Sequence, residues 1–543
     1  MVSRQQCSRI AQIAFGLALV TAVAGQVSAQ NSSRKFYPDD PLWQEPPPLP
    51  VKHVATLQID QLYDFLANSF EVPRREGREF RRTPHAALDV NTLGEVPDSP
   101  WYTNRHYYRR MTLEELKRGP GDSRPPSSTG AWRVISAKSD GVMPGFVIED
   151  RNKNRYLLKF DPPDDSELAS AADVIGSKFF YALGYNTPEN YIVHFRREDL
   201  EISDGVKWRD VTGKKRPLTG RVLDQLLKPQ AKRGDGTYRA MASLWISGDI
   251  IGPFKYQGTR SDDPNDTVPH EDRRELRGLR VFASWLNHTD AKSINSLDTL
   301  VTKNGVPYLM HYLIDFGSIL GSAGTGAKLP WYGHEYVLDK NGPALQMVTF
   351  GFYAPPWERT AYPKLTGVGR LDYKSFEPMT WKPDYPNPAF LLMDDADAFW
   401  AAKQVAAFRD SDIRALVETG QFSDPRATDW VTKCLIERRN KIAEAWFSKV
   451  LPLDKFSVVD GKLTFRNLGQ SRGIGKGREF SVRWASCDQN GRMKPLPQAT
   501  GRQVPVQQND AQYLVATINS SEDPIRVYFR RNEKGLEVVR IDR

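Results

Sequence analysis

The sequence predicts a mixed α+β chain: a β-rich unit, then a helical unit, then a separate small β domain of sandwich type. Three observations predict it. Between Ala131 and Phe160, β-forming runs alternate with the turn-rich stretches SDGVMPG and RNKN. Apolar residues recur at helical spacing from Glu271 to Leu286 and again from Asp395 to Val450. From about Phe456 the pattern changes to short strands between turn signals.

Residues 1–29 read as a secretory signal peptide. Arg4 and Arg9 make a basic start, IAFGLALVTAVAG is a short apolar run, and Val27-Ser28-Ala29 is a small-residue cleavage site. Cys7 precedes the apolar run instead of standing at the cleavage point, which argues against a lipoprotein anchor. Residues 30–130 form a polar, proline-rich linker ending in EPPPLP and an N-terminal extension. That extension holds the short helix LQIDQLYDFLANSF and the loop DSPWYTNR, in which Trp101 reads as a packing anchor.

Residues 131–260 open with the meander WRVISAK, GFVIED and RYLLKF. A helix follows, with Leu168, Ala172, Ile175, Phe179 and Leu183 on one face and Gly184 as its stop. The strand YIVHF, an insertion holding a hairpin and the helix TGRVLDQLLK, and the strand and turn ASLWISGDIIG complete this part. Residues 261–455 contain the helix ending in VFASWL and a hairpin, LDTLVTK and YLMHYLI, turned at Asn304-Gly305. An aperiodic stretch rich in Gly, Pro and Trp and three further helices follow. Residues 456–543 supply the tail strands VVDGKLTF, REFSVRWAS, QYLVATIN, IRVYFRR and LEVVRI.

With 40% hydrophobic content in 543 residues, the chain can bury a sizeable core. Beyond the leader, no run approaches the roughly 18 apolar residues of a membrane span. The mature protein is expected in a bacterial periplasm or outside the cell. Loss of Arg4 and Arg9 lowers the formal charge from +9 to +7, with Lys and Arg interspersed among acids. That balance suits anionic ligands or a membrane surface, and no nucleic-acid motif accompanies it. Cys434, on a predicted helix, and Cys487, in the β tail, leave pairing open. Two lone thiols favour the free form.

The chemistry concentrates in NHTDAKSIN, from Asn287 to Asn295, and LIDFG, from Leu313 to Gly317. Moving a phosphoryl group to a hydroxyl needs a carboxylate to accept the proton, a cation near the transferred group and oxygen ligands for Mg²⁺. One short loop offers such groups in His288, Asp290, Lys292 and Asn295. Asp315 lies 315 − 290 = 25 residues after Asp290, with room for the hairpin between them. The plain alternative is that these are ordinary turn and cap residues.

HTDAKSIN resembles the catalytic loop HRDxKxxN of the protein-kinase superfamily, and IDFG resembles its DFG element. The helix closing in LGYNTPENY is most similar to the atypical branch, of HipA, CotH or phosphatidylinositol-kinase type. The resemblance covers about Ala131 to Leu451. It implies a two-lobed kinase-like fold, ATP and Mg²⁺ as cofactors, and an unidentified hydroxyl on a protein, lipid head group or sugar as acceptor. It also implies that Asp290 is the catalytic base and that Lys292 steadies the transferred phosphate. Asn295 and Asp315 would be the metal ligands, and Lys159 of RYLLKF the lysine contacting nucleotide phosphates. The acidic partner of Lys159 would be Asp173, with Glu167 as competitor, and His288 a structural hydrogen-bonding residue.

No G-x-G-x-x-G precedes Lys159, so Gly141 and Gly145 are left as the phosphate-covering turn. No APE-like motif follows the DFG element. GSAGTGAK, from Gly321 to Lys328, imitates a phosphate-binding loop but has its lysine one place late and reads as a flexible activation-type segment. GIGKG, from Gly473 to Gly477, reads as a turn between tail strands. Two further functions share these residues: a pseudokinase serving as an envelope scaffold through its β tail, and a kinase-fold nucleotidyltransferase.

Overall fold

A computed structural model of the chain describes residues 43–70, 74–75, 78–79, 85–138, 145–209, 214–339, 347, 354–470, 473–474, 480–488, 492–505, 511–519 and 524–543. The expected signal peptide, the start of the proline-rich linker and Gly141 lie outside the described residues, as does part of GIGKG. The described chain is mixed α+β. None of its helices is long and apolar enough to cross a membrane.

In chain order the first elements are α1 (Gln61–Phe70), α2 (Leu113–Arg118), β1 (Trp132–Lys138), β2 (Gly145–Glu149), β3 (Arg155–Lys159) and α3 (Leu168–Ala182). They continue as β4 (Asn190–Phe195), β5 (Leu200–Ile202), the hairpin β6 (Lys207–Arg209) and β7 (Lys215–Pro217), α4 (Gly220–Leu227) and β8 (Tyr238–Leu244). Six of these strands form one sheet in the order β4-β8-β3-β2-β1-β5. Strand alternation gives the sheet two different faces. Tyr156 and Leu158 of β3 are buried in a core with Phe146, Ile148 and, from α4, Leu223 and Leu227. Leu157 and Lys159 turn to the other face.

The expected meander, β1 to β3, pairs antiparallel as read, and β8 inserts between β3 and β4. The helix after the meander, α3, packs differently. Its Ala171, Ile175, Phe179 and Phe180 join the core of the helical part, with α5 (Arg274–Leu286), α6 (Asp395–Ala407), α7 (Asp410–Glu418) and α8 (Pro425–Phe447).

A second sheet has the order β9-β10-β11, from β9 (Asp249–Gly252), β10 (Ser296–Lys303) and β11 (Val306–Leu313). Asn304 and Gly305 both have positive φ, 53° and 79°, as the predicted two-residue turn demands. GSAGTGAK is not a loose segment. It forms a small hairpin of β12 (Ser322–Ala323) and β13 (Gly326–Ala327), closed by the Lys328 N–H on the Gly321 carbonyl at 2.9 Å.

The proline-rich linker is extended where it is described, but it is docked. The Leu49 N–H donates to Asn265 Oδ1 (2.7 Å), that of Val51 to the Pro307 carbonyl (2.8 Å), and that of Leu57 to the Ile251 carbonyl (2.8 Å). This docking fixes where α1 begins.

The tail comprises β14 (Leu453–Val459), β15 (Lys462–Asn467), β16 (Ser481–Cys487), β17 (Met493–Thr500), β18 (Tyr513–Asn519), β19 (Ile525–Asn532) and β20 (Gly535–Asp542). Instead of two full sheets it has one five-stranded antiparallel sheet, β17-β16-β18-β19-β20, with the β14–β15 hairpin sharing its core through Leu453 and Leu463. Strand β17 escapes sequence reading because Pro495 and Pro497 interrupt it, and an edge position is where such a strand is tolerated.

A buried charged cluster ties the tail down. Lys403 Nζ contacts Asp454 Oδ2 at 2.9 Å and also pairs with Glu95, while Tyr107 donates to Asp454 at 2.5 Å. Cys434 and Cys487 are both buried and are not joined in a disulfide.

Candidate active site

The end of β3 places Lys159 opposite Gly145 on one side and Met241 on the other, facing a cleft of about 700 Å³. Lys159 Nζ lies 2.7 Å from Asp315 Oδ1 and 3.2 Å from Asp173 Oδ2. Burial works against the ammonium, yet the two carboxylates raise its pKa above the ordinary lysine value. Asp173 is buried on α3 and joins three elements. Besides Lys159, it accepts from Asn190 Nδ2 (2.9 Å) and from the Phe316 N–H (3.2 Å), both on Oδ1. The aspartate is therefore long enough to do what a glutamate would do here.

Glu167 does not compete for Lys159. Its Oε2 accepts instead from the backbone N–H (2.8 Å) and hydroxyl (3.1 Å) of Ser423, because a left-handed backbone (φ 67°) at the helix start turns it toward the helical part. Glu167 is a tie between α3 and the segment before α8, and its expected cofactor role is withdrawn.

Asp315 also has a left-handed backbone, φ 61° and ψ 65°. A non-glycine residue there costs on the order of 1–3 kcal/mol, and such cost concentrates at functional sites. The twist separates two neighbours: the Asp315 side chain points to the cleft, while Phe316 is fully buried and stacked on Phe180 at 5.0 Å. Gly176 of α3 makes room for it, since a Cβ there would lie 2.6 Å from Phe316 Cβ.

The loop after α5 begins at Asn287, whose left-handed backbone (φ 53°) caps the helix. Asn295 Nδ2 donates to Asp290 Oδ2 (2.9 Å) and to the Asp290 carbonyl (2.8 Å), holding the loop in a ring. Lys292 pairs with Asp290 and with Asp384 Oδ2, the latter at 2.8 Å. Burial pushes the Asp290 carboxyl up, but Lys292 and Lys328 outweigh it and hold its pKa below the ordinary 3.8. His288 makes aromatic contacts instead of the expected hydrogen bond. Its ring packs on Phe180 and Phe316, its Nδ1 has no partner among the described residues, and burial lowers its pKa to about 4.

Lys159, Asp173, Gly145, Asp290, Lys292, Asn295 and Asp315 thus all line one cleft. Much of its remaining wall is apolar, with Leu157, Met241, Trp245, Ile250, Leu297 and Ile314, among polar residues such as Ser170, Asn190 and Ser243. Two residues that sequence reasoning missed brace the loop after α5. Asp384 stands in the aperiodic KPDYPNP, where spacing carries no signal. Lys328, in the discarded GSAGTGAK, is buried behind the loop with Nζ 2.6 Å from Thr289 Oγ1, the residue between His288 and Asp290.

No protein-family model and no curated protein matches the chain. Among solved structures it is similar to a Golgi casein kinase at TM-score 0.27 and 9% identity, over 62% of this chain and 76% of that one. A second structure of the Golgi casein kinase, with Mn and ADP bound, is similar at TM-score 0.24 and 8% identity, over 62% and 77%.

Among the described residues, no three His, Cys, Asp or Glu side chains cluster as a self-sufficient metal site. Asn295 and Asp315 offer two oxygen ligands on one cleft. That donor set suits Mg²⁺, which usually takes one or two protein ligands and completes its shell with phosphates and water.

Proposed function

We propose that the chain transfers a phosphoryl group from a magnesium-bound nucleoside triphosphate, ATP being the expected one, to a hydroxyl, on the kinase-like plan that its motifs resemble. The observation that carries this reading is the single cleft. An amine from β3, a carboxylate and lysine from the loop after α5, and a carboxylate after β11 meet there beside an apolar wall suited to a purine.

In this reading Asp290, held ionised at low pH, accepts the proton of the incoming hydroxyl. Lys292, braced by Asp384, steadies the transferred group. Lys159, oriented by Asp173, binds nucleotide phosphates, and Gly145 leaves the backbone of β2 open to them. Asn295 and Asp315 would hold Mg²⁺, which when bound neutralises phosphate charge. The basic and apolar leader supports export, which would put the reaction in the periplasm or outside the cell. Nucleotidyl transfer would draw on the same residues, and the mass of the product separates the two.

Thermal stabilisation by Mg·ATP tests the proposal. Wild-type protein should show a concentration-dependent rise in melting temperature, and Asp315→Ala should abolish it. Wild-type protein that gains nothing at millimolar Mg·ATP would refute the reading.

A further inference from the structure

Resting on the phosphoryl-transfer reading, we infer that Ser318 is a modification site, phosphorylated in cis by the chain that carries it when no outside acceptor fills the cleft.

The two oxygens of Asp290 are not equivalent. Oδ1 is buried and faces Lys292. An incoming hydroxyl therefore reaches the carboxylate at Oδ2. That oxygen already accepts from Asn295 Nδ2 at 2.9 Å and from the Ser318 hydroxyl at 3.3 Å. A carboxylate oxygen offers about two lone-pair sites, so both are taken. The Asn295 amide also bonds to the Asp290 carbonyl and belongs to the ring that shapes the loop. Ser318 thus stands where an acceptor hydroxyl has to stand. Its contact is longer than the roughly 2.5–3.0 Å of a good hydroxyl bond, so the oxygen is held near the base without being locked to it.

The other groups that the reaction needs are at hand. Lys292, which steadies the transferred group in this reading, pairs with the same carboxylate, and Ser318 lines the cleft with Lys159, Asn295 and Asp315. The serine ends the short turn Phe316–Ser318, three residues after Asp315. That turn is fixed by buried Phe316, whose N–H donates to Asp173 Oδ1 at 3.2 Å, and by the Ile319 N–H on the Phe316 carbonyl at 3.2 Å. A hydroxyl held this way meets the base of its own chain. The other serines of the cleft are placed differently. Ser170 donates to Asp161 Oδ2 at 2.8 Å, and Ser243 stands on β8 between Leu157 and Asn190.

The step balances with a nucleoside triphosphate as co-reactant. The Ser318 hydroxyl gives its proton to Asp290 Oδ2 as its oxygen bonds to the terminal phosphorus. The bond from that phosphorus to the bridging oxygen breaks, and its electron pair leaves with the nucleoside diphosphate. A phosphoserine carries a charge of about −1.5 to −2 at neutral pH. Beside Asp290 it shuts out the next hydroxyl, so the modification closes the site that made it.

The test incubates the purified full chain with Mg·ATP labelled in the terminal phosphate and no added acceptor. Intact mass, peptide mapping and nucleotide consumption are followed. A single phosphoryl group per chain is expected, at Ser318, with a rate constant unchanged by tenfold dilution of the protein and with consumption ceasing as labelling completes. Ser318→Ala should lower labelling at least tenfold. Ser318→Thr should keep it as phosphothreonine, which separates loss of the acceptor oxygen from a folding defect.

Wild-type protein that is stabilised by Mg·ATP yet stays unmodified at Ser318 would overturn the inference and leave the phosphoryl-transfer reading standing. So would labelling of Ser318→Ala at the wild-type rate, or a rate constant that falls on dilution. Wild-type protein with no thermal response to Mg·ATP would overturn both.

Discussion

Gly176→Ala tests whether α3 holds Asp315 in the cleft through packing. The added Cβ would lie 2.6 Å from Phe316 Cβ, 2.7 Å from Ile319 Cδ1 and 3.0 Å from Phe316 Cγ. Carbon atoms prefer roughly 3.5–4.0 Å, so Phe316 and Ile319 must retreat by about 1 Å. Phe316 has nowhere easy to go, being fully buried and stacked on Phe180.

Overpacking of this kind costs about 1–3 kcal/mol, but alanine improves on glycine in a helix interior by about 1 kcal/mol. Global stability should therefore fall by only about 0–2 kcal/mol, which makes it a blunt readout. The site should respond far more. Asp315 is bonded to Phe316, whose N–H donates to Asp173, and a 1 Å misplacement of a catalytic group costs on the order of 10²-fold. Mg·ATP titration and turnover should both drop by at least tenfold, with Gly234→Ala, which meets nothing within 4 Å, as control. Wild-type nucleotide affinity and turnover in Gly176→Ala would refute the argument.

Lys328→Met should move the acid limb of the kcat/KM profile to higher pH. Burial raises the Asp290 carboxyl and Lys292 and Lys328 lower it, so deleting one cation makes protonation of that carboxyl easier, while the nucleotide KM stays put. Lys403→Met should cost about 3–5 kcal/mol in urea denaturation, because it removes the cation that buried Glu95 pairs with and leaves buried Asp454 with Arg543 as its remaining cation. Asp454 also predicts a pH dependence. Burial pushes its carboxyl up, but Lys403 and Arg543 prevail and hold its pKa well below 3.8. Its stabilising contribution is thus complete above about pH 4 and is lost as pH falls through the depressed value. Wild-type melting temperature followed from pH 5 to pH 2 should show that loss, and Lys403→Met should flatten it.

How far the sequence reveals this molecule depends on whether an element is held by local or distant contacts. The meander, the hairpin at Asn304-Gly305 and the long helices carry their own periodicity and turn chemistry, and the structure forms them where the residues say. Asp290, Asn295 and Asp315 are legible as a group because they stand at a set spacing within and around one loop, and folding brings all three to one cleft.

Asp384 and Lys328 are not legible, since each reaches the loop from an aperiodic segment and only folding reveals the approach. Glu167, the competitor to Asp173, falls away for a related reason. Its separation from Lys159 permits a pair, and only the left-handed turn that sends its carboxylate to Ser423 removes it. His288 shows a residue whose motif position is informative while its partner is not, because aromatic packing took the place of the expected hydrogen bond.

The β10–β11 hairpin has eight residue pairs in continuous register, from Ser296 opposite Leu313 to Lys303 opposite Val306. Asn295 precedes the first strand directly and Asp315 follows the second by two residues, so both side chains spring from the open end of one stiff fork. Its tip, where a Cβ on Gly305 would meet nothing within 4 Å, is the far end. An experimenter could graft a fluorophore or an epitope at that tip and follow the cleft from a distance.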